Sequence, residues 1–108
     1  MPNSKIGTEP YREELLTAIK DPDEAAHYLN ACLEDQNPKV FLMALRDVAE
    51  AHGGMRNLSR RAELNRESLY RMLSKKGNPS FGSLVSVLQE LGLRLRVQPK
   101  RGRPRRAA

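Results

Sequence analysis

Tryptophan is absent and aromatic residues make up only 5% of the chain, so an interior must be assembled from Leu, Val, Ile, Met and Ala. Such a core suits packed helices. A single cysteine, Cys32, excludes an internal disulfide and fits a reducing cytoplasm, where we expect the protein to reside. No apolar run approaches the roughly 20 residues that span a bilayer, and no signal-peptide pattern opens the chain, so neither membrane insertion nor export is expected. His27 and His52 stand alone, and Cys32 has no Cys or His at metal spacing, so no metal and no cofactor are expected. No nucleophile–base constellation and no phosphate-cradling glycine loop occurs. The chain does not read as an enzyme.

What is plentiful is positive charge, and it is unevenly placed. The 108 residues carry a formal net charge of +6, enough length for one compact domain plus tails. Residues 1–37 hold eight acids against three bases, residues 38–98 eleven bases against five acids, and residues 99–108 five bases and no acid. One end repels a polyanion and the remainder attracts it. This predicts two partners: nucleic acid for the basic part, and a neutral or basic partner for the acidic part. The boundaries follow: an acidic helical segment 1–37, a basic domain 38–98, and a tail 99–108.

Pro, Gly and capping residues punctuate a series of helical patterns. Tyr11, Leu15 and Ile19 recur every four residues. Asp21-Pro22-Asp23-Glu24 reads as a helix start, with Asp21 as N-cap and Glu24 reaching back. The helix that follows places Ala25, Leu29, Cys32 and Leu33 on one face. Asn37-Pro38 starts a third helix lined by Phe41, Leu45, Val48 and Ala49, which Gly53-Gly54 ends. Two short patterns come next, Asn57 to about Glu63 and Arg66 to about Lys76, with Asn65 as N-cap of the second. After Gly77-Asn78-Pro79, Ser80 caps a last helix with Phe81, Leu84, Val85, Leu88 and Leu91 on its apolar stripe, closed by Gly92. The period then changes to two: Leu93, Leu95 and Val97 alternate with Arg94, Arg96 and Gln98. A lone strand needs a partner, and the same strand of a second subunit is the simplest one. From Pro99 onward there is no periodicity, which predicts a disordered basic tail.

Two short helices joined by a tight turn, between longer helices that supply a core, meet the requirements of a helix-turn-helix. Leu69, Met72 and Leu73 form the buried stripe of the second short helix, joined by Leu58, Ala62 and Leu64. Its outward face is then Arg66, Glu67, Tyr70 and Arg71. Arginine reads guanine through a bidentate contact, glutamate accepts from cytosine, and tyrosine meets a thymine methyl or a phosphate. Ser74-Lys75-Lys76, at the end of such a helix, is better explained as phosphate contact than as a serine–lysine hydrolase pair. The bland alternative is a helical hairpin with a solvated charged face.

The stretch from Met55 to Ser74 resembles the phage-repressor (Xre-like) helix-turn-helix. With Gly77-Asn78-Pro79 and Leu91-Gly92-Leu93-Arg94-Leu95, residues 10–98 resemble the addiction-module antidote proteins, HigA-like antitoxins of toxin–antitoxin pairs. Asn65-Arg66-Glu67-Ser68-Leu69-Tyr70 is the most specific part. The resemblance implies base reading by Arg66, Glu67 and Arg71, with Asn57, Arg60 and Ser74 near the DNA backbone; Arg56, Asn65, Ser68, Lys75 and Lys76 complete the expected backbone set. It also implies a small basic RelE/HigB-like mRNA-cleaving toxin as partner. On charge grounds Glu13, Glu14, Asp23, Glu24, Glu34 and Asp35 are the residues to meet it. Two positions depart from the repressor pattern. Ser59 replaces the usual alanine, and Glu63 the usual turn glycine, where a positive φ strains a residue with a Cβ and an altered turn is expected.

Lys100-Arg101-Gly102-Arg103-Pro104-Arg105-Arg106 resembles an AT-hook. Its glycine lets the chain lie deep in a narrow groove, with Arg101, Gly102 and Arg103 along the floor. Phosphate contact without sequence preference is the competing reading. The whole chain therefore predicts an all-α fold of five or six helices containing a helix-turn-helix, with a short C-terminal strand and a disordered basic tail. It is expected to work as a homodimer on a palindromic operator. A stand-alone transcription regulator without a toxin, or an interaction protein without DNA binding, remain open at this point.

Overall fold

Three helix starts follow from local side-chain chemistry. Asn37 accepts a hydrogen bond from the Lys39 amide at 3.0 Å, Asn65 from the Ser68 amide at 3.1 Å, and Ser80 from the Ser83 amide at 3.1 Å. Each satisfies an amide that the first turn leaves without an intrahelical partner. Asp21 occupies the N-cap position of its helix but makes no side-chain capping bond. The computed structural model describes residues 10–100. Six helices lie among them: α1 (Pro10–Ala18), α2 (Pro22–Leu33), α3 (Pro38–Ala51), α4 (Gly54–Arg61), α5 (Arg66–Met72) and α6 (Phe81–Glu90).

Helix α3 is the hub, packing against α1, α2 and α4, while α4 packs against α5 and α6. Its buried residues Phe41, Leu42, Ala44, Leu45, Val48 and Ala49 recur at helical spacing and fill the centre. Ile19, Ala25 and Leu29 join them from the acidic end; Met55, Leu58, Leu69, Met72 and Leu73 from the two short helices; and Val87, Leu88 and Leu91 from the C-terminal side. Seven-residue α5 is too short to hold itself together in water, so this packing fixes its position.

Several expectations are corrected. No strand forms among the described residues, and 93–98 run without regular structure. Leu93 packs on the core, and the rest of the segment finds no second strand among the described residues to bond. Val97 is 99% exposed. Helix α5 ends at Met72 rather than near Lys76, because Ser74 turns back to bond the Arg71 carbonyl at 2.7 Å and Gly77 bonds the Ser74 carbonyl at 2.9 Å. Leu33, Tyr11 and Phe81 are exposed rather than facing the core. Gly53 and Gly54 also open α4, both with positive φ. The turn between α4 and α5 keeps its left-handed residue: Glu63 takes φ 57°. A residue with a Cβ carries the conformation that glycine adopts without strain, at a cost of about 1 kcal/mol.

Polar links fasten α1 and α2 to α3. The Asp47 carboxylate accepts from Arg12 at 3.0 Å and from the Tyr28 hydroxyl at 2.8 Å, and His52 Nε2 donates to the Ile19 carbonyl at 2.9 Å. Partial burial, reinforced by the Asp47 bond and charge, pushes the Tyr28 phenol well above its ordinary range. The folded state therefore holds this proton more tightly than the unfolded state, so the stability it contributes is complete below about pH 10 and is lost as pH rises beyond that. Tyr28→Phe is expected to lower stability by about 1 kcal/mol at neutral pH and to flatten the alkaline limb of stability against pH, read from urea midpoints. An unchanged alkaline limb excludes Tyr28 as its source. Burial, then Asp47 and Asp35, push the Cys32 thiol up as well, so it stays protonated and unreactive at neutral pH.

Candidate nucleic-acid interface

Helix α5 divides its residues as its sequence pattern requires. Leu69 and Met72, with Leu73 just beyond, are buried, leaving Arg66, Glu67, Tyr70 and Arg71 exposed. Asn65 fixes the start of the helix and, in doing so, spends its side-chain oxygen on the Ser68 amide. Ser59 is buried on α4, its hydroxyl donating to the Arg56 carbonyl at 2.9 Å. Its carbonyl accepts from the Leu64 amide at 2.9 Å, closing the turn into α5. The small side chain at this position suits the close approach of the two short helices.

Around this face Arg56, Arg60, Ser68, Lys75 and Lys76 are exposed. Besides Asn65, two more of the expected backbone residues are committed internally: Asn57 donates to the Gly53 carbonyl at 2.9 Å and accepts from Arg60, and Ser74 bonds the Arg71 carbonyl and the Lys76 amide. Among the described residues the ion pairs are Arg12–Asp47 and Arg61–Glu90, so Arg66, Arg71, Lys75 and Lys76 meet no carboxylate there. Arg61 is structural, its guanidinium donating also to the Glu90 carbonyl at 2.6 Å and tying α4 to the end of α6. Arg101, Gly102 and Arg103 lie outside the described residues.

Sequence reasoning missed two residues that shape this face, Arg46 and Lys39, and the close packing of a third, Gly77. Arg46, on α3, lies over the Tyr70 ring with its guanidinium carbon 5.2 Å from the ring centroid. Helix α3 was read for its apolar stripe, and no spacing rule connects Arg46 to a side chain 24 positions away. Lys39, at the start of α3, donates to the Gly77 carbonyl at 2.8 Å and anchors the loop after α5. Gly77 itself has no room for a Cβ, which would sit 2.0 Å from the Met72 carbonyl oxygen.

The acidic residues lie elsewhere. Glu13 and Glu14 on α1, Asp23 and Glu24 on α2, and Glu34 and Asp35 just after it are all exposed, and Asp35 accepts from the Asn37 amide at 2.8 Å. Two apolar hollows form a further feature. One, of about 70 Å³, reaches Leu33, and the other, of about 330 Å³, reaches Phe81; both are lined by Leu88, Leu93, Arg94 and Leu95.

The family described as "Probable addiction module antidote protein" matches residues 12–99, a stretch that covers nearly all of α1 through to the segment after α6. This chain belongs to that family. An uncharacterised protein of Haemophilus influenzae (strain ATCC 51907 / DSM 11121 / KW20 / Rd) is 38% identical over 92 residues, covering 77% of this chain and 94% of the relative. No solved structure matches the chain significantly. Membership makes the protein an antidote, an antitoxin of a toxin–antitoxin pair, and so implies a toxin partner. No helix among the described residues of the antidote is long and apolar enough to cross a membrane.

Proposed function

We propose that this antidote binds operator DNA through a helix-turn-helix formed by α4 and α5, represses its own operon, and neutralises a RelE/HigB-like mRNA-cleaving toxin. One observation carries the DNA reading: α5 buries Leu69 and Met72 while Arg66, Glu67, Tyr70 and Arg71 stand exposed, with no acidic partner for the arginines among the described residues. Arg66 and Arg71 supply bidentate contacts to guanine, Glu67 accepts from cytosine, and Tyr70 meets a thymine methyl or a phosphate. Arg56, Arg60, Ser68, Lys75 and Lys76 contact phosphates, while Asn57, Asn65 and Ser74 set the turns that present them. Arg101, Gly102 and Arg103 enter an adjacent minor groove.

The antidote acts as a homodimer, which places two reading helices about one DNA turn, roughly 34 Å, apart. Phe81 lines the larger hollow and Leu95 lines both, and these two side chains, exposed like Val97, suit a subunit contact. Arg94 lines both hollows, and exposed Glu34 and Asp35 follow Leu33, which lines one of them, so a second copy seated there can pair opposite charges. The acidic residues of α1 and α2 steer the basic toxin.

Titration of a duplex from the region upstream of the gene, against a scrambled duplex, tests the DNA reading. Tighter binding to the upstream duplex is expected, and equal binding to both overturns it. Truncation after Gln98 removes five positive charges, and each lost phosphate contact flattens the salt slope by about 0.9. A slope shallower by about 2 or more is expected, and an unchanged slope shows that the tail is idle. For the toxin, deleting residues 1–37 is a poor test because it removes Ile19, Ala25 and Leu29 from the core. Charge reversal at Glu13, Glu14, Asp23 and Glu24 leaves the core intact. It is expected to abolish co-purification with the toxin, and retention of the toxin rejects this surface.

A further inference from the structure

Arg46 is the one described cation that reaches the exposed face of α5 from outside the α4–α5 pair through an aromatic contact. Its guanidinium carbon lies 5.2 Å from the centroid of the Tyr70 ring, and the side chain is half-buried. Asp47, its neighbour in sequence, is committed to Arg12 and Tyr28, and Arg46 forms no ion pair among the described residues. A structural arginine at such a site is ordinarily held by a carboxylate or a carbonyl, as Arg61 is by Glu90. Arg46 is held by a ring instead. A cation over an aromatic ring is attracted by the quadrupole of the face, and that attraction consumes none of the N–H donors. All five therefore remain available for a planar, bidentate acceptor.

We propose that Arg46 is a DNA-phosphate contact contributed by α3, with Tyr70 holding its guanidinium beside the base-reading face of α5. This rests on the reading of α5 as the DNA-facing helix. A phosphate is the ligand rather than a base because the reading helix fills the groove, and side chains from neighbouring elements meet the backbone that flanks it. Phosphate oxygens match the guanidinium fork, and a ring that already restrains the side chain reduces what is lost on ordering it. Tyr70 thereby acquires a second task beyond its own contact.

The experiment measures affinity and salt slope by fluorescence anisotropy on the upstream and scrambled duplexes, for wild type, Arg46→Ala, Arg46→Lys, Tyr70→Ala, Arg46→Ala in a Tyr70→Ala background, and Arg66→Ala. Arg46→Ala is expected to weaken binding about tenfold on both duplexes and to flatten the salt slope by about 1, because a phosphate contact carries no sequence information. Arg46→Lys, which keeps the charge, is expected to restore the slope. In the Tyr70→Ala background, Arg46→Ala is expected to cost less than in wild type. A slope unchanged by Arg46→Ala, or a loss confined to the upstream duplex, overturns the proposal, since either shows that Arg46 acts only by positioning Tyr70. Thermal melts of each variant separate these outcomes from misfolding. If wild type fails to prefer the upstream duplex and Arg66→Ala changes nothing, the assignment of α5 has failed, a pattern distinct from failure at Arg46 alone.

Discussion

Gly77→Ala is expected to destabilise the antidote by about 3 kcal/mol, a large share of the 5–15 kcal/mol that holds a typical domain together. The added Cβ would stand 2.0 Å from the Met72 carbonyl oxygen, 2.7 Å from its carbon and 2.8 Å from the Arg71 carbonyl oxygen. All three are backbone atoms, so no rotamer change relieves the clash. The end of α5 or the loop that follows must move. Movement of α5 pulls Met72 and Leu73 from the core, and movement of the loop breaks the Lys39 bond to the Gly77 carbonyl. A fall in Tm of about 15 °C is the expected readout. Gly82→Ala is the matched control. Nothing lies within 4 Å of the Cβ it would add, in the first turn of α6, so it is expected to stabilise by about 0.5 kcal/mol through the unfolded state. If the two substitutions shift Tm alike, the close approach at Gly77 is not a constraint on the fold.

Gly77 also marks where sequence reasoning stopped. As part of Gly-Asn-Pro it reads as a helix break, and it is one, but its tight approach to the Met72 carbonyl depends on where α5 packs. Features set by a few adjacent residues were legible in the sequence. Asn37, Asn65 and Ser80 cap helices because a short polar side chain and an unpaired amide two or three residues on are enough. The split of α5 into Leu69, Met72 and Leu73 inside and Arg66, Glu67, Tyr70 and Arg71 outside follows from helical period alone.

Features that need a second element were misread or unseen. The alternation from Leu93 to Val97 has the period of a strand, but a strand exists only against a partner, and none lies in this chain's described residues. Phe81 and Leu33 fit the apolar stripes of their helices yet stay exposed, because neither core stripe extends as far as the helix end that carries them. Asp47 belongs by sequence to a helix judged on its apolar residues, and its value as the joint between Arg12 and Tyr28 depends on α1 and α2 both crossing α3 there. Glu63 shows the converse. A local rule disfavoured a left-handed residue with a Cβ, and the packing of α4 on α5 overrode that rule.

Arg66→Ala combined with Arg71→Ala is expected to lower affinity for the upstream duplex by at least about 30-fold. A good bidentate contact to guanine is worth about 1–3 kcal/mol of discrimination, and two lost together span roughly 30-fold to about 20,000-fold. Both side chains are exposed and neither forms an ion pair among the described residues, so their removal leaves no buried charge orphaned. Alanine has the higher helix propensity, so α5 is not weakened at either position. Circular dichroism and Tm are therefore expected to match wild type, and toxin co-purification to persist, because the acidic residues of α1 and α2 are untouched. Binding to a scrambled duplex is expected to fall much less, with a salt slope reduced by no more than about 2, since removing two cations takes away only part of the sequence-independent attraction. Undiminished preference for the upstream duplex would reject α5 as the reading element, and with it the assignment of Glu67 and Tyr70.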